Sequence, residues 1–356
     1  MKTKYYERIL KLAILSIVVC IIMGTAAYGQ VVYPGMVSYW KFDDCTANDY
    51  VGTNDGIIHE ANCTTGKVNN ALSFDGINDY VEIPDDNSLD FAPTTSHFTF
   101  EAWINIEKGG VSILDKGIVD RPNYRWIIGY GDIPSTTNIG VWNQMYGVRF
   151  GSPALSINAW HHVVTVFNGS TVVFYVDGVS DGSYSWNLDI TNTGPLYVGR
   201  DVRGRFFKGL IDELAIYNRV LSKEEIWQHY QYGLIGLGYE GVVDIDIKPG
   251  SDVNPINYKS RGKIPVAILS TAQFYAPDMV EQSTLTFGAT GNENSLAFCD
   301  RWPVDVNNDG YSDLVCHFYT ENAGFTCGDT EGILKGQIVD DIPIQGSESV
   351  RIVPCH

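Results

Sequence analysis

Positive charge is scarce in this chain: 24 Lys and Arg stand against 42 Asp and Glu in 356 residues, a formal net charge of −18 at pH 7. Nucleic acid and anionic lipid reward basic patches, so the balance argues against both as partners. Long apolar runs are missing too. The run Leu12–Met23 falls short of the ~20 residues that span a bilayer. It follows Lys2, Lys4, Arg8 and Lys11 and precedes Ala27-Tyr28-Gly29, the order of a cleaved signal peptide over residues 1–29. A membrane anchor is the competing reading; after cleavage no membrane span is expected. Cys-x-x-Cys spacing, the usual mark of a zinc site, does not occur. Internal repeats and long low-complexity runs are absent as well.

What remains after the signal is a chain with an even set of cysteines: Cys45, Cys63, Cys299, Cys316, Cys327 and Cys355. Behind an export signal such a set predicts disulfides in an oxidising compartment, hence a secreted or cell-surface protein. Cys45 and Cys63 stand alone in the first half, so their pairing with each other is the simple choice. The last four allow three connectivities, which spacing does not decide. A short segment, 30–34, leads into a domain over 35–232. The glycine-rich stretch 233–241 reads as a linker, and 242–356 as a second, smaller β-rich domain.

Strand signals dominate the first domain, with β-branched and aromatic residues broken by Gly, Asn and Asp turns. His97–Ile106 alternates, placing Phe98, Phe100, Ala102, Ile104 and Ile106 on one face and Trp103 on the other, so both faces of this strand should be covered. Asp177-Gly178 predicts a tight hairpin turn. A helix should begin at Ser222, with Glu225 completing a capping box and Ile226 and Tyr230 forming its apolar stripe. His161 and His162 look like metal ligands. Neighbours on a strand point to opposite faces, however, so the two imidazoles should not share one ion.

Several ordered motifs carry a family likeness. They are Val37-Ser38-Tyr39-Trp40-Lys41-Phe42-Asp43-Asp44, the loop Asp49–Gly56, Phe74-Asp75-Gly76-Ile77-Asn78-Asp79-Tyr80-Val81, Trp160-His161-His162, Tyr175-Val176-Asp177-Gly178 and Ile211-Asp212-Glu213-Leu214-Ala215-Ile216-Tyr217-Asn218. Together they resemble the laminin-G-like, concanavalin A-like jelly-roll superfamily of secreted prokaryotic proteins. The resemblance covers nearly all of residues 35–232 and implies an all-β, two-sheet jelly-roll sandwich. It also implies a structural calcium (Ca2+) where the first and last long strands meet, a role that falls on Asp43, Asp49 and Asp212, with Asp44 as a spare carboxylate. The alternative is that these carboxylates cap turns and face solvent.

In the second domain, Asp244-Ile245-Asp246-Ile247-Lys248-Pro249-Gly250-Ser251, Gly262-Lys263-Ile264-Pro265-Val266-Ala267-Ile268-Leu269 and Gly346-Ser347-Glu348-Ser349-Val350-Arg351-Ile352-Val353-Pro354 resemble a small β module attached to secreted prokaryotic proteins, a likeness that implies no particular role. Within it, Asp305, Asn307, Asp309 and Asp313 fall at positions 1, 3, 5 and 9 of a calcium-type loop, with Gly310 at the turn and Tyr311 able to offer its carbonyl. Cys316 stands where an EF-hand has its bidentate Glu. An Asx-rich hairpin without metal is the alternative.

The same jelly roll hosts polysaccharide hydrolases, which resemble one another in a strand motif Glu-x-Asp-x-x-Glu. That triplet is missing, and no catalytic residue is expected. The leading expectation is a non-catalytic binding protein for carbohydrate or a glycosylated surface protein, with Trp142, Trp186, Tyr130 and Tyr146 as candidate ring platforms. The others are an adhesion scaffold that binds protein partners and, third, a polysaccharide hydrolase.

Overall fold

A computed structural model describes residues 34–91, 97–118, 124–128, 137–143, 147–186 and 193–355. The expected signal peptide therefore lies outside the described residues, as do Tyr130 and Tyr146. Residues 35–356 form one compact unit.

Two antiparallel sheets face each other across the first core. One runs, in spatial order, β13 (Val179–Ser185), β12 (Thr171–Val176), β11 (Trp160–Phe167), β6 (Phe98–Ile106), β15 (Lys208–Tyr217), β4 (Asn70–Asp75) and β3 (Asn62–Thr65), with β1 (Met36–Trp40) also paired to β15. The other runs β10 (Gly147–Ala154), β9 (Asn138–Asn143), β8 (Tyr124–Ile128), β7 (Val111–Lys116), β14 (Leu196–Val198), β5 (Tyr80–Ile83) and β2 (Ile57–His59). Phe100, Ile104, Val163 and Phe174 of the first sheet meet Leu114, Trp126, Val141 and Leu196 of the second. This is an all-β jelly-roll sandwich, and alternation along β6 decides its layering. Phe98, Phe100, Ala102, Ile104 and Ile106 all enter the core, while Trp103 points outward.

That outward face is covered by α1 (Lys223–Leu234). Ser222 Oγ accepts from the Glu225 amide while the Glu225 carboxylate accepts from the Ser222 amide, so the predicted capping box closes the helix start. Gly233 lies against Trp103, where a Cβ would collide with the indole; the close approach requires glycine. Asp177 and Gly178 both adopt positive φ, 51° and 77°, which suits a two-residue hairpin between β12 and β13.

A second core is built from three smaller sheets. They are β16 (Ile245–Ile247), β18 (Lys263–Ile268), β21 (Leu314–Tyr319) and β20 (Leu296–Cys299); β19 (Thr286–Gly288), β22 (Glu331–Ile338) and β23 (Ile342–Ser349); and β17 (Pro255–Asn257) paired in parallel with β24 (Arg351–Val353). Ile247, Val266, Phe287, Phe318, Leu334 and Ile344 fill it. Between the two cores, residues 233–241 are packed. Tyr239 is buried and stacks on Tyr39 at 5.5 Å, Lys41 Nζ pairs with Glu240 at 2.6 Å, and the Tyr232 hydroxyl donates to the Pro343 carbonyl.

The cysteines pair as Cys45–Cys63, Cys299–Cys316 and Cys327–Cys355. The first was the expected pair, and the other two resolve the open choice. Three disulfides fit an oxidising, extracellular setting. Among the described residues no helix is long and apolar enough to cross a membrane.

Candidate functional site

Cross-strand registers align one residue from each strand of the seven-stranded sheet: Ile57, Glu82, Tyr197, Asp115, Arg125, Trp142 and Val148. Their chain neighbours Val81, Leu196, Leu114, Trp126 and Val141 point into the core, so by alternation this row lies on the opposite face. At ~4.8 Å per strand, the row extends about 29 Å. A polar row on this face needs a reason, because Asp115 and Arg125 are almost wholly buried.

The reason is a network around one guanidinium. Arg125 Nε lies 2.7 Å from Asp115 Oδ2, and its Nη1 lies 3.4 Å from Asp201 Oδ2. Asp201 also pairs with Arg205 at 2.6 Å and accepts from the Arg203 and Arg205 amides, while Asp115 Oδ2 accepts from the Val202 amide. Two buried carboxylates thus hold one buried cation and the loop beside it, satisfying charges that would otherwise be costly to desolvate. Above them, the Arg125 guanidinium lies 4.4 Å from the ring centre of half-buried Trp142. The contact fixes the indole plane, and a cation against a ring is worth about 0.5–2 kcal/mol.

Toward β2 a second cation is boxed by rings. Arg200 lies 4.4 Å from the Tyr197 ring centre, 4.6 Å from Tyr80 and 5.7 Å from Phe206, and His59 stacks on Tyr80 at 4.2 Å. The face thus offers rigid rings beside guanidinium and carboxylate groups, the mixture of flat apolar surface and fixed polar groups from which ligand sites are built. Sequence reading reached Trp142 and missed Glu82, Asp115, Arg125, Tyr197, Arg200 and Asp201. The available signal was Tyr124-Arg125-Trp126, a lone cation between two inward-facing aromatics.

Trp186 requires a correction. It is 5% exposed, belongs to the first core and packs edge-on against Phe167 at 5.8 Å, so it offers no ring face. His161 and His162 part company as expected. His161 bonds Asp177 and Ser156, whereas His162 bonds Glu101 on the helix-covered side.

At the sandwich rim, Asp49 Oδ1 accepts from the amides of Tyr39, Val51 and Gly52, and its Oδ2 accepts from the Asn54 amide, so this carboxylate folds the loop. Asp43 lines a cleft of about 230 Å³ with Lys41, Phe42, Asp44, Asn48 and Tyr50. Asp212 Oδ2 accepts from the Lys67 and Val68 amides, while its Oδ1 is buried without a hydrogen-bond partner. Burial pushes the Asp212 carboxyl well above its ordinary range, against the Val68 amide and with help from nearby Asp43. Glu213, hydrogen-bonded by the Tyr39 hydroxyl, is pushed up by burial and then by Asp212 and Asp43. The orphaned oxygen and the crowding of Asp43, Asp212 and Glu213 are what a cation would relieve, but among the described residues these side chains are not arranged as a metal-holding group.

In the second domain, the expected calcium loop is closed on itself. Asp305 accepts from the Asp309 and Gly310 amides, Asn307 from Asp309, and Asp309 from Tyr311. Asp313 is buried and accepts from Ser270 and Val306. The donor set is the oxygen chemistry of a hard cation. Among the described residues, however, no group of three acidic, His or Cys side chains is arranged to hold a metal ion.

A family model described as the concanavalin A-like lectin/glucanases superfamily matches residues 75–227. No curated protein matches the chain. Solved structures similar to it include domain 4 of AbnA, a GH43 extracellular arabinanase from Geobacillus stearothermophilus, in complex with arabinotriose. There the TM-score is 0.47 and the identity 17%, over 54% of this chain and 97% of that one. The binding domain of Paraclostridial Mosquitocidal Protein 1 gives a TM-score of 0.46 and 12% identity over 85% and 75%. Trypanosoma rangeli sialidase in complex with the inhibitor DANA gives 0.38 and 17% over 58% and 34%. Likeness this distant says nothing about ligand or activity.

Proposed function

We propose that this is a secreted or cell-surface protein that binds carbohydrate without cleaving it, along the polar row of the seven-stranded sheet. The observation that carries the reading is Trp142 held flat by Arg125, itself pinned by Asp115 and Asp201. A pyranose can lay its C–H face on such a ring and present its hydroxyls to the neighbouring charged groups. Two features support a non-catalytic role. Asp115 is fully buried and ion-paired with Arg125, and Tyr197 separates it from Glu82 in the row. A glycosidase instead needs two carboxyls facing each other across the scissile bond. Glycan-array binding by the purified chain tests the reading. Trp142→Ala should weaken a sugar signal about tenfold or more, on the order of 1.4 kcal/mol. An unchanged signal, or hydrolysis of the bound glycan, refutes it.

Calcium belongs to the same proposal as a stiffener of loops. Asp305, Asn307, Asp309, Asp313 and the Tyr311 carbonyl would hold one ion, and Asp43 and Asp212 would contribute at the rim. Asp309→Ala should lower the melting temperature by a few degrees in millimolar calcium, roughly the effect of 1 kcal/mol, and leave it nearly unchanged in chelator. Equal loss in both buffers means that Asp309 supports the turn alone.

A further inference from the structure

The four-stranded sheet of the second domain buries one face and leaves the other open. Ile264, Val266, Cys316 and Phe318 point into the second core, and alternation turns Lys263, His317 and Tyr319 outward beside Phe298. Phe298 is 48% exposed and Tyr319 40%. Phe298 stacks on His317 at 4.6 Å, and His317 Nε2 bonds Asp300 at 3.1 Å. Lys263 Nζ sits 5.5 Å from the Phe298 ring centre and 5.4 Å from that of Tyr319. Just past β20, Arg301 lies 5.3 Å from the ring of Trp302, which is 73% exposed.

Charge decides what such a face receives. In the jelly roll, Lys41, Lys116, Arg125, Arg205, Lys208 and Arg219 pair with carboxylates, while Arg200 sits among rings with no ion pair among the described residues. Lys263 and Arg301 have no carboxylate partner among the described residues, although acids outnumber bases 42 to 24 in the chain. A cation left over a ring edge keeps both its charge and its orientation available to a ligand. We propose that this face is a second binding site, for an anionic polysaccharide: sugar rings lie on Phe298 and Tyr319, and acidic groups meet Lys263 and Arg301. The site stands independently of the Trp142 row.

The experiment is biolayer interferometry of the full chain in chelator, against immobilised polygalacturonate, dextran sulfate, neutral dextran and single-stranded DNA. Either anionic polysaccharide should bind and neutral dextran should not; which of the two binds tells carboxylate from sulfate. The double variant K263E/R301E lies on exposed positions and should keep its melting temperature while losing affinity about tenfold. Phe298→Ala should also weaken binding, and Trp142→Ala should leave it unchanged. The proposal is overturned if neither anionic polysaccharide binds, if neutral dextran binds as well, or if K263E/R301E binds like the parent. DNA binding as tight as the polysaccharide's also overturns it, because charge alone would then account for the signal.

Discussion

Glu101→Ala is expected to cost about 3–5 kcal/mol of stability at pH 7, because it removes a buried anion from between two buried partners. Glu101 lies on β6 and is fully buried. Its Oε1 is 2.9 Å from His162 Nε2 on β11, and both its oxygens are 3.0 Å from His229 Nδ1 on α1. Rings close over the cluster: Trp103 lies 5.2 Å from His162, and Tyr239 stacks on His229 at 5.0 Å. The cluster therefore ties two strands to the helix that covers them, and through Tyr239 to the packed segment between the two cores. Urea denaturation measures the loss; a change below about 1 kcal/mol would show the histidines to be satisfied without Glu101.

The same carboxyl sets an acid limit. Burial alone would raise Glu101, but the charge of His229 and the hydrogen bonds from His162 and His229 overcome it and hold the group at about 2, against an ordinary 4.5. A depressed folded value means a contribution complete above pH 4.5 and lost as pH falls toward 2. Glu101→Gln should therefore flatten the stability profile across that window, and its deficit relative to the parent should shrink as pH approaches 2.

Glu101 also shows what the sequence could and could not reveal. Alternation along His97–Ile106 exposed the two-faced burial of β6, and adjacency on β11 separated His161 from His162. Ser222 and Glu225 marked the helix start, because a capping box is complete within four residues. All of these are local patterns. The network of Glu101 with His162 and His229 spans 128 residues of chain, and the polar row of the second sheet joins residues from 57 to 148 and 197. Period-2 patterning says which face a residue occupies, but not which strands are neighbours. Trp142 and Trp186 looked alike among Gly, Asn and Asp, yet one lies on a guanidinium and the other on Phe167 in the core. The same limit left Cys299, Cys316, Cys327 and Cys355 undecided: Cys299 and Cys316 face each other across β20 and β21, a register visible only in the folded sheet.

Asp212→Asn is expected to stabilise the chain in chelator and destabilise it in calcium. The amide oxygen of Asn can keep the hydrogen bonds from the Lys67 and Val68 amides. Removing the charge relieves the repulsion that Asp212 shares with Asp43 and Glu213. Both Asp212 and Glu213 are raised above their ordinary values of 3.8 and 4.5, so the parent loses stability as pH rises above that range. At pH 7 without metal the variant should therefore melt at a higher temperature than the parent. A cation between Asp43 and Asp212 reverses the sign, because the same two charges then become its ligands and a neutral amide is the poorer one. Thermal melts of parent and variant, with and without millimolar calcium, separate the cases. A variant more stable than the parent in both buffers means that the rim holds no ion and that its carboxylates are kept protonated by burial.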